Sequence, residues 1–127
     1  MARILVVDDE SGMRKSLGMI LRRERYQVTE AASVAEAVGH FRAEPYDLVI
    51  ADLMMEPLNG YDLLALVARY RPGCPVMIMT AFGTQEARVE ALRLGAADFL
   101  DKPIQAPAIL ARILKILREK TRGQAAP

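Results

Sequence analysis

An alternation of two periods along the chain limits the fold more than any other feature of the sequence. The runs "RILVV", "YDLVIA", "PVMIMTA" and "ADFL" are short, rich in Val, Ile, Met and Phe, and free of strict polar alternation. They read as strands covered on both faces. A further run, "YQVTEA", mixes in polar residues and reads as an edge strand, because those groups would be costly on a doubly covered sheet. Between the runs the apolar residues recur at helical spacing. Met13, Leu17, Ile20 and Leu21 mark a first helix, and Val34, Ala37, Val38 and Phe41 a second, behind a Ser33–Glu36 capping-box pattern. Leu63, Leu64, Val67 and Ala68 mark a third, and Ala87, Ala91 and Leu94 a fourth that Gly95 closes. The last, "PAILARILKILREK", begins at Pro107, which suits a first helical turn.

Five strands alternating with five helices imply right-handed crossovers and an α/β fold, a doubly wound parallel sheet with helices on both faces. A chain of 127 residues fits one domain, and the patterning assigns it to residues 1–120. The remainder, 121–127 ("TRGQAAP"), has no apolar period and reads as a frayed tail or the start of a linker. With 17 basic and 16 acidic residues the formal charge is +1, so the chain as a whole exerts no pull on nucleic acid or acidic membranes. Cys74 is the single cysteine; an internal disulfide and a cysteine-rich zinc site are excluded, and the usage fits a reducing compartment. Apolar runs are interrupted within a few residues, so no membrane span is predicted and a cytoplasmic address is expected.

In a sheet of this kind the functional crevice lies beyond the carboxyl ends of the strands. Asp8 and Asp9 end the first run, Asp52 the third, Thr80 the fourth, and Lys102 follows the fifth. Taken singly, an acid past a strand is an ordinary turn or helix cap. Three acids converging opposite a lysine and a hydroxyl are harder to dismiss. Crowded carboxylates need a compensating cation, and Mg2+ suits them because it accepts a few carboxylates, keeps waters and leaves a vertex for a phosphoryl oxygen. Asp52 then has the chemistry of a nucleophile toward phosphorus, with Lys102 and the Thr80 hydroxyl available to the equatorial oxygens.

Through "ILVVDDE", "DLVIADLMMEPLNG", "VMIMTAFGT" and "GAADFLDKP" the sequence resembles the receiver domains of bacterial two-component response regulators, over residues 3 to 119. The resemblance implies a flavodoxin-like sheet of order 2-1-3-4-5. It also implies Asp8 and Asp9 as the acidic pair that positions Mg2+, Asp9 more directly, with Asp52 as phosphoacceptor and Lys102 as the phosphate-contacting lysine. Thr80 becomes the switch hydroxyl, Phe99 the aromatic that turns inward behind it, Met54 the donor of a backbone carbonyl to the metal, and Pro103 a residue often joined through a cis bond. The implied partner is a histidine kinase or phosphotransfer protein, and the domain is mainly a switch that catalyses its own phosphorylation and slow dephosphorylation.

One departure stands in "DLMMEPLNG", where Glu56 occupies the usual proline position and Pro57 follows one place later. The shift should alter the loop backbone near the metal, and Glu56 becomes either a further group turned toward the cation or an exposed bystander. Around "TAFGTQEARVEALRLGAADFLDKP" the resemblance is greatest to the nitrogen-regulation class, whose members add an ATPase domain acting on the alternative sigma factor and a DNA-binding end. Neither a GxxxxGK loop nor a helix-turn-helix segment occurs here, so contact with DNA is expected only through a separate output domain. The chain reads as an excised receiver, or else one that acts alone by docking. Ile109, Leu110, Ile113, Leu114, Ile116 and Leu117 form a wide apolar band, predicting a homodimer through the fourth and fifth helices. Two competing readings are a flavin-holding module of the same fold and an interaction domain with vestigial acids. "DDE" is a poor phosphate cradle without metal, and retention of Asp52 and Lys102 counts against the second.

Overall fold

The structure, a computed structural model, describes residues 1–103 and 105–125. The elements run β1 (Arg3–Val7), α1 (Ser11–Arg23), β2 (Gln27–Ala31), α2 (Val34–Ala43), β3 (Leu48–Asp52), α3 (Gly60–Tyr70), β4 (Val76–Thr80), α4 (Gln85–Arg93), β5 (Asp98–Asp101) and α5 (Ala106–Ala125). The strands form one parallel sheet of order β2-β1-β3-β4-β5, as the resemblance implies.

Side chains of a strand alternate between faces, and the two faces build two cores. Leu5, Val7, Val49, Ala51, Val76, Ile78 and Phe99 meet Phe41 of α2, Leu63, Leu64 and Val67 of α3, and Ala91 of α4. Ile4, Val6, Leu48, Ile50, Met77 and Met79 meet Leu17 and Leu21 of α1 and Ile109, Ile113 and Ile116 of α5. Strands β3 and β4 are buried along their whole length, which explains runs without alternation. The polar run β2 lies at the edge, buried fully only at Ala31.

Capping differs in detail from the sequence reading. Ser33 accepts from the Glu36 N–H at 3.1 Å, but the Glu36 carboxylate turns to the N–H of Ala32 instead of completing a box. The reciprocal box belongs to α3, between Asn59 and Asp62, and Thr84 caps α4. Helix α5 runs on to Ala125, beyond the apolar period that ends at Leu117. Its backbone continues helical past that period, and the Thr121 hydroxyl donates back to the Leu117 carbonyl. The last two residues of the expected tail, 126 and 127, lie outside the described residues.

The apolar band of α5 is narrower than its sequence suggests. Ile109, Ile113 and Ile116 are core, Leu110 and Leu117 pack against the same cluster, and Leu114 alone of the six stands open, at 42% exposure. The cause is the core that α5 joins with α1 and the sheet, which takes up Leu110 and Leu117 beside the three isoleucines.

Candidate functional site

Parallel register brings the carboxyl ends of β1, β3, β4 and β5 to one edge of the sheet, and the sequence-predicted residues gather there. Asp8, Asp9 and Asp52 each present a carboxylate oxygen, all within 4.8 Å of one another. Lys102 reaches between them, its Nζ donating to Asp8 Oδ2 at 2.9 Å and to Asp52 Oδ2 at 3.1 Å. Asp8 is 2% exposed and the Lys102 side chain 9%, so this pairing is shielded from solvent screening. Burial disfavours the Lys102 ammonium. The hydrogen bond and charge of Asp8, then those of Asp52, outweigh that effect and hold its pKa above the ordinary lysine value.

A single device orients three of the strand-end side chains. In each, a side-chain oxygen accepts the backbone N–H two residues on: Asp8 Oδ1 from Glu10 at 3.0 Å, Asp52 Oδ1 from Met54 at 3.1 Å, and Thr80 Oγ1 from Phe82 at 3.1 Å. Such local turns suit Asp and Thr because their short side chains reach that N–H without strain. Both buried carboxylates are thereby committed on both oxygens. Asp9 is exposed and, among the described residues, its carboxylate accepts no hydrogen bond.

Three carboxylates against one ammonium leave an excess of negative charge, and all the donors are hard oxygens. That donor set fits Mg2+, which prefers oxygen ligands and binds through a small number of carboxylates. A cavity of about 420 Å³ opens over the trio, lined by Asp9, Glu10, Met13, Asp52, Met54, Ala81, Phe82, Lys102 and Pro103. Both Lys102–Pro103 and Glu56–Pro57 are cis peptide bonds. Glu56 is exposed and belongs neither to the trio nor to the cavity lining.

Thr80 is fully buried, and Phe99 in the neighbouring strand is 1% exposed, in the core cluster that also holds Ile78. The sequence reading lets Phe99 turn inward into space freed as Thr80 moves. The ring is already inward here, buried in the same core cluster as Ala91 and Ala96. Missed altogether was Arg14, whose guanidinium donates to the Asp8 carbonyl at 2.7 Å. Its only sequence signal is an arginine one helical turn beyond the acidic turn. Cys74 lies at the opposite end of the sheet from this site, where burial pushes its thiol up to about 11.

Comparison with known proteins gives the family and the fold. The family model described as response regulator receiver domain matches residues 4–114. The transcriptional regulatory protein GlrR of Escherichia coli K12 is 40% identical over 112 residues, covering 88% of this chain and 25% of that protein. The chain thus spans about a quarter of that curated relative's length. Among solved structures, a CheY-like receiver domain protein from Methanospirillum hungatei superposes with a TM-score of 0.93 at 29% identity, covering 97% of this chain and 98% of that one. The beryllofluoride-activated NtrC4 receiver domain dimer superposes with a TM-score of 0.90 at 29% identity, covering 94% and 99%.

Proposed function

Since the chain belongs to the response regulator receiver domain family, we propose that it takes a phosphoryl group onto Asp52 from the phosphohistidine of a partner kinase or phosphotransfer protein. The observation that carries this reading is the arrangement of Lys102 between Asp8 and Asp52, with the open carboxylate of Asp9 in the same trio. An Asp52 oxygen attacks phosphorus as the P–N bond to the donor imidazole breaks, the electron pair leaving with that nitrogen. Asp8, Asp9, Asp52 and the Met54 carbonyl would hold Mg2+, which when bound neutralises charge on the phosphoryl oxygens. Lys102 pairs with the same oxygens, and the Thr80 hydroxyl, which accepts from Phe82, has its own proton to donate to one of them. Glu56 stays a bystander in this scheme.

Phosphorylation adds about −1.5 to −2 charge at neutral pH, and Thr80 and Phe99 carry the event to α4 and α5. The inward ring of Phe99 is one of two arrangements whose balance the phosphoryl group shifts. The readout is control of a transcription-regulating output domain, in keeping with the greater length of the relatives; residues 121–127 would lead toward it, and DNA contact would belong to it alone. A homodimer through α4 and α5 fits the exposure of Val89, Leu92 and Leu114 on these helices and the dimer described for NtrC4. Intact mass after incubation with acetyl phosphate and Mg2+ tests the reading: one acid-labile phosphoryl group is expected, lost when EDTA replaces the metal, and an unmodified mass under both conditions contradicts it.

A further inference from the structure

Of the three acids, Asp9 is the one whose aim nothing at its own side chain fixes. Asp8 is tied through Glu10 N–H and Lys102, and Asp52 through Met54 N–H and Lys102. Asp9 must take its direction from the backbone. The Asp8 carbonyl belongs to the peptide unit that joins Asp8 to Asp9, and because that unit is planar, fixing the carbonyl orients the Asp9 N–H and Cα with it.

Arg14 holds that carbonyl. Its Nη1 donates to Asp8 O at 2.7 Å, and its Nε lies 3.4 Å from Glu30 Oε1 on β2, with the arginine side chain only 14% exposed. Glu30 is itself held by Arg22 Nη2 at 3.2 Å, and Arg22 also donates to the Val28 carbonyl. Gly18 leaves room for this brace, since a Cβ there would lie 3.1 Å from Arg22 Nη1 and 3.2 Å from Glu30 Oε2. The backbone N–H of Asp8 meanwhile donates to Ala31 of the same edge strand. The acidic turn is thus anchored to β2 from both sides of Asp8, and Arg14 is the anchor nearer Asp9.

We infer that Arg14 is a positioning residue for the divalent cation: through the Asp8 carbonyl it aims Asp9 at the metal, with Glu30 holding its guanidinium in place. The inference rests on the proposed metal site. A positioning role and a simple field effect have opposite signs here. A cation beside three carboxylates repels Mg2+, so an arginine acting only by its charge would tighten metal binding when removed. An arginine acting by position would weaken it.

The experiment measures Mn2+ binding to the folded protein by the electron paramagnetic resonance of the free ion, in wild type, Arg14→Gln, Arg14→Lys and Glu30→Gln, alongside metal-free melting temperatures. Support from a metal ligand's surroundings is commonly worth about 10-fold or more in affinity, so Arg14→Gln should bind Mn2+ roughly tenfold more weakly. Arg14→Lys should fall with it, because lysine keeps the charge but lacks the planar fork. Binding equal to or tighter than wild type in Arg14→Gln, even with a lowered melting temperature, overturns the inference. Should Arg14→Gln fail to fold, Arg14→Lys decides, because it keeps the charge: weaker binding supports the brace and unchanged binding overturns it, as does unchanged binding in Glu30→Gln, where lost position and lost charge would both weaken the site. A wild-type protein that binds no Mn2+ overturns the metal site itself and the brace with it, a result distinct from equal binding across the series.

Discussion

Arg88 of α4 lies over the ring of Phe99 in β5, its guanidinium carbon 5.1 Å from the ring centroid, and its Nη1 donates to the Phe99 carbonyl at 3.2 Å. A second nitrogen reaches Asp101 Oδ2 at 3.4 Å. One side chain therefore ties the fourth helix to the strand that carries Phe99, the aromatic proposed as the switch, and covers that ring from outside.

Arg88→Ala should uncover the ring. Loss of a cation–π contact, worth about 0.5–1 kcal/mol where partly exposed, and of a hydrogen bond worth about 0.5–1.5 kcal/mol, predicts destabilisation of roughly 1–2 kcal/mol in urea unfolding. The Phe99 ring should also show increased exchange between environments by NMR relaxation dispersion. An unchanged midpoint and an unchanged ring signal would show that Arg88 does not cover Phe99.

Gly60 opens α3 against the loop that follows Asp52. A Cβ there would stand 2.9 Å from the Leu53 Cα and 3.0 Å from the Asp52 carbonyl, backbone atoms that cannot swing aside. Gly60→Ala should therefore cost about 1–3 kcal/mol, the range for overpacking, and shift the backbone at Asp52. Chemical denaturation and the amide chemical shifts of residues 52–54 check both parts. A variant as stable as the parent would mean that the loop yields freely.

Cys74 gives the pH dependence. Its ordinary pKa of 9.0 is raised to about 11, mainly by burial, so the folded protein retains the thiol proton after the unfolded chain has lost it. The resulting stability is complete below pH 9.0 and is lost as pH rises toward about 11. Alkylation by iodoacetamide should accordingly stay slow at neutral pH and accelerate only near the top of that window. In Cys74→Ala the alkaline loss of stability should be smaller. Rapid labelling at neutral pH would contradict the burial of this group.

On α5, Leu114 and Leu117 should separate association from folding. Leu114→Glu alters an exposed position and should leave the melting temperature nearly unchanged while weakening any dimer seen by sedimentation. Leu117 packs against the core, so Leu117→Glu should destabilise the fold by about 1–3 kcal/mol. A dimer indifferent to Leu114→Glu would place the contact elsewhere.

Much of this architecture is visible in the sequence because burial on a doubly covered sheet demands continuous apolar runs, and each run stops where a polar residue reaches the edge. Asp8, Asp52, Thr80 and Lys102 are legible for that reason: a strand fixes the position of whatever ends it. The part that sequence leaves open depends on contacts between distant segments. Arg14 meets Glu30 across α1 and β2, and no spacing announces the pair. Leu114 and Leu117 look equivalent until the helix is docked and one flank is taken up by the core. The inward ring of Phe99 depends on how the core cluster that it shares with Ala91 and Ala96 is packed, which periodicity does not measure.

The central claim is that the carboxylate of Asp52 is the atom group that receives phosphorus. An acyl phosphate is reduced by borohydride to an alcohol, so the phosphorylated protein, treated with borohydride and digested, carries homoserine wherever the phosphoryl group stood. The account predicts homoserine at position 52 alone in the wild type and at no position in Asp52→Asn. Homoserine at another acid in the wild type, or undiminished labelling in Asp52→Asn, would contradict it.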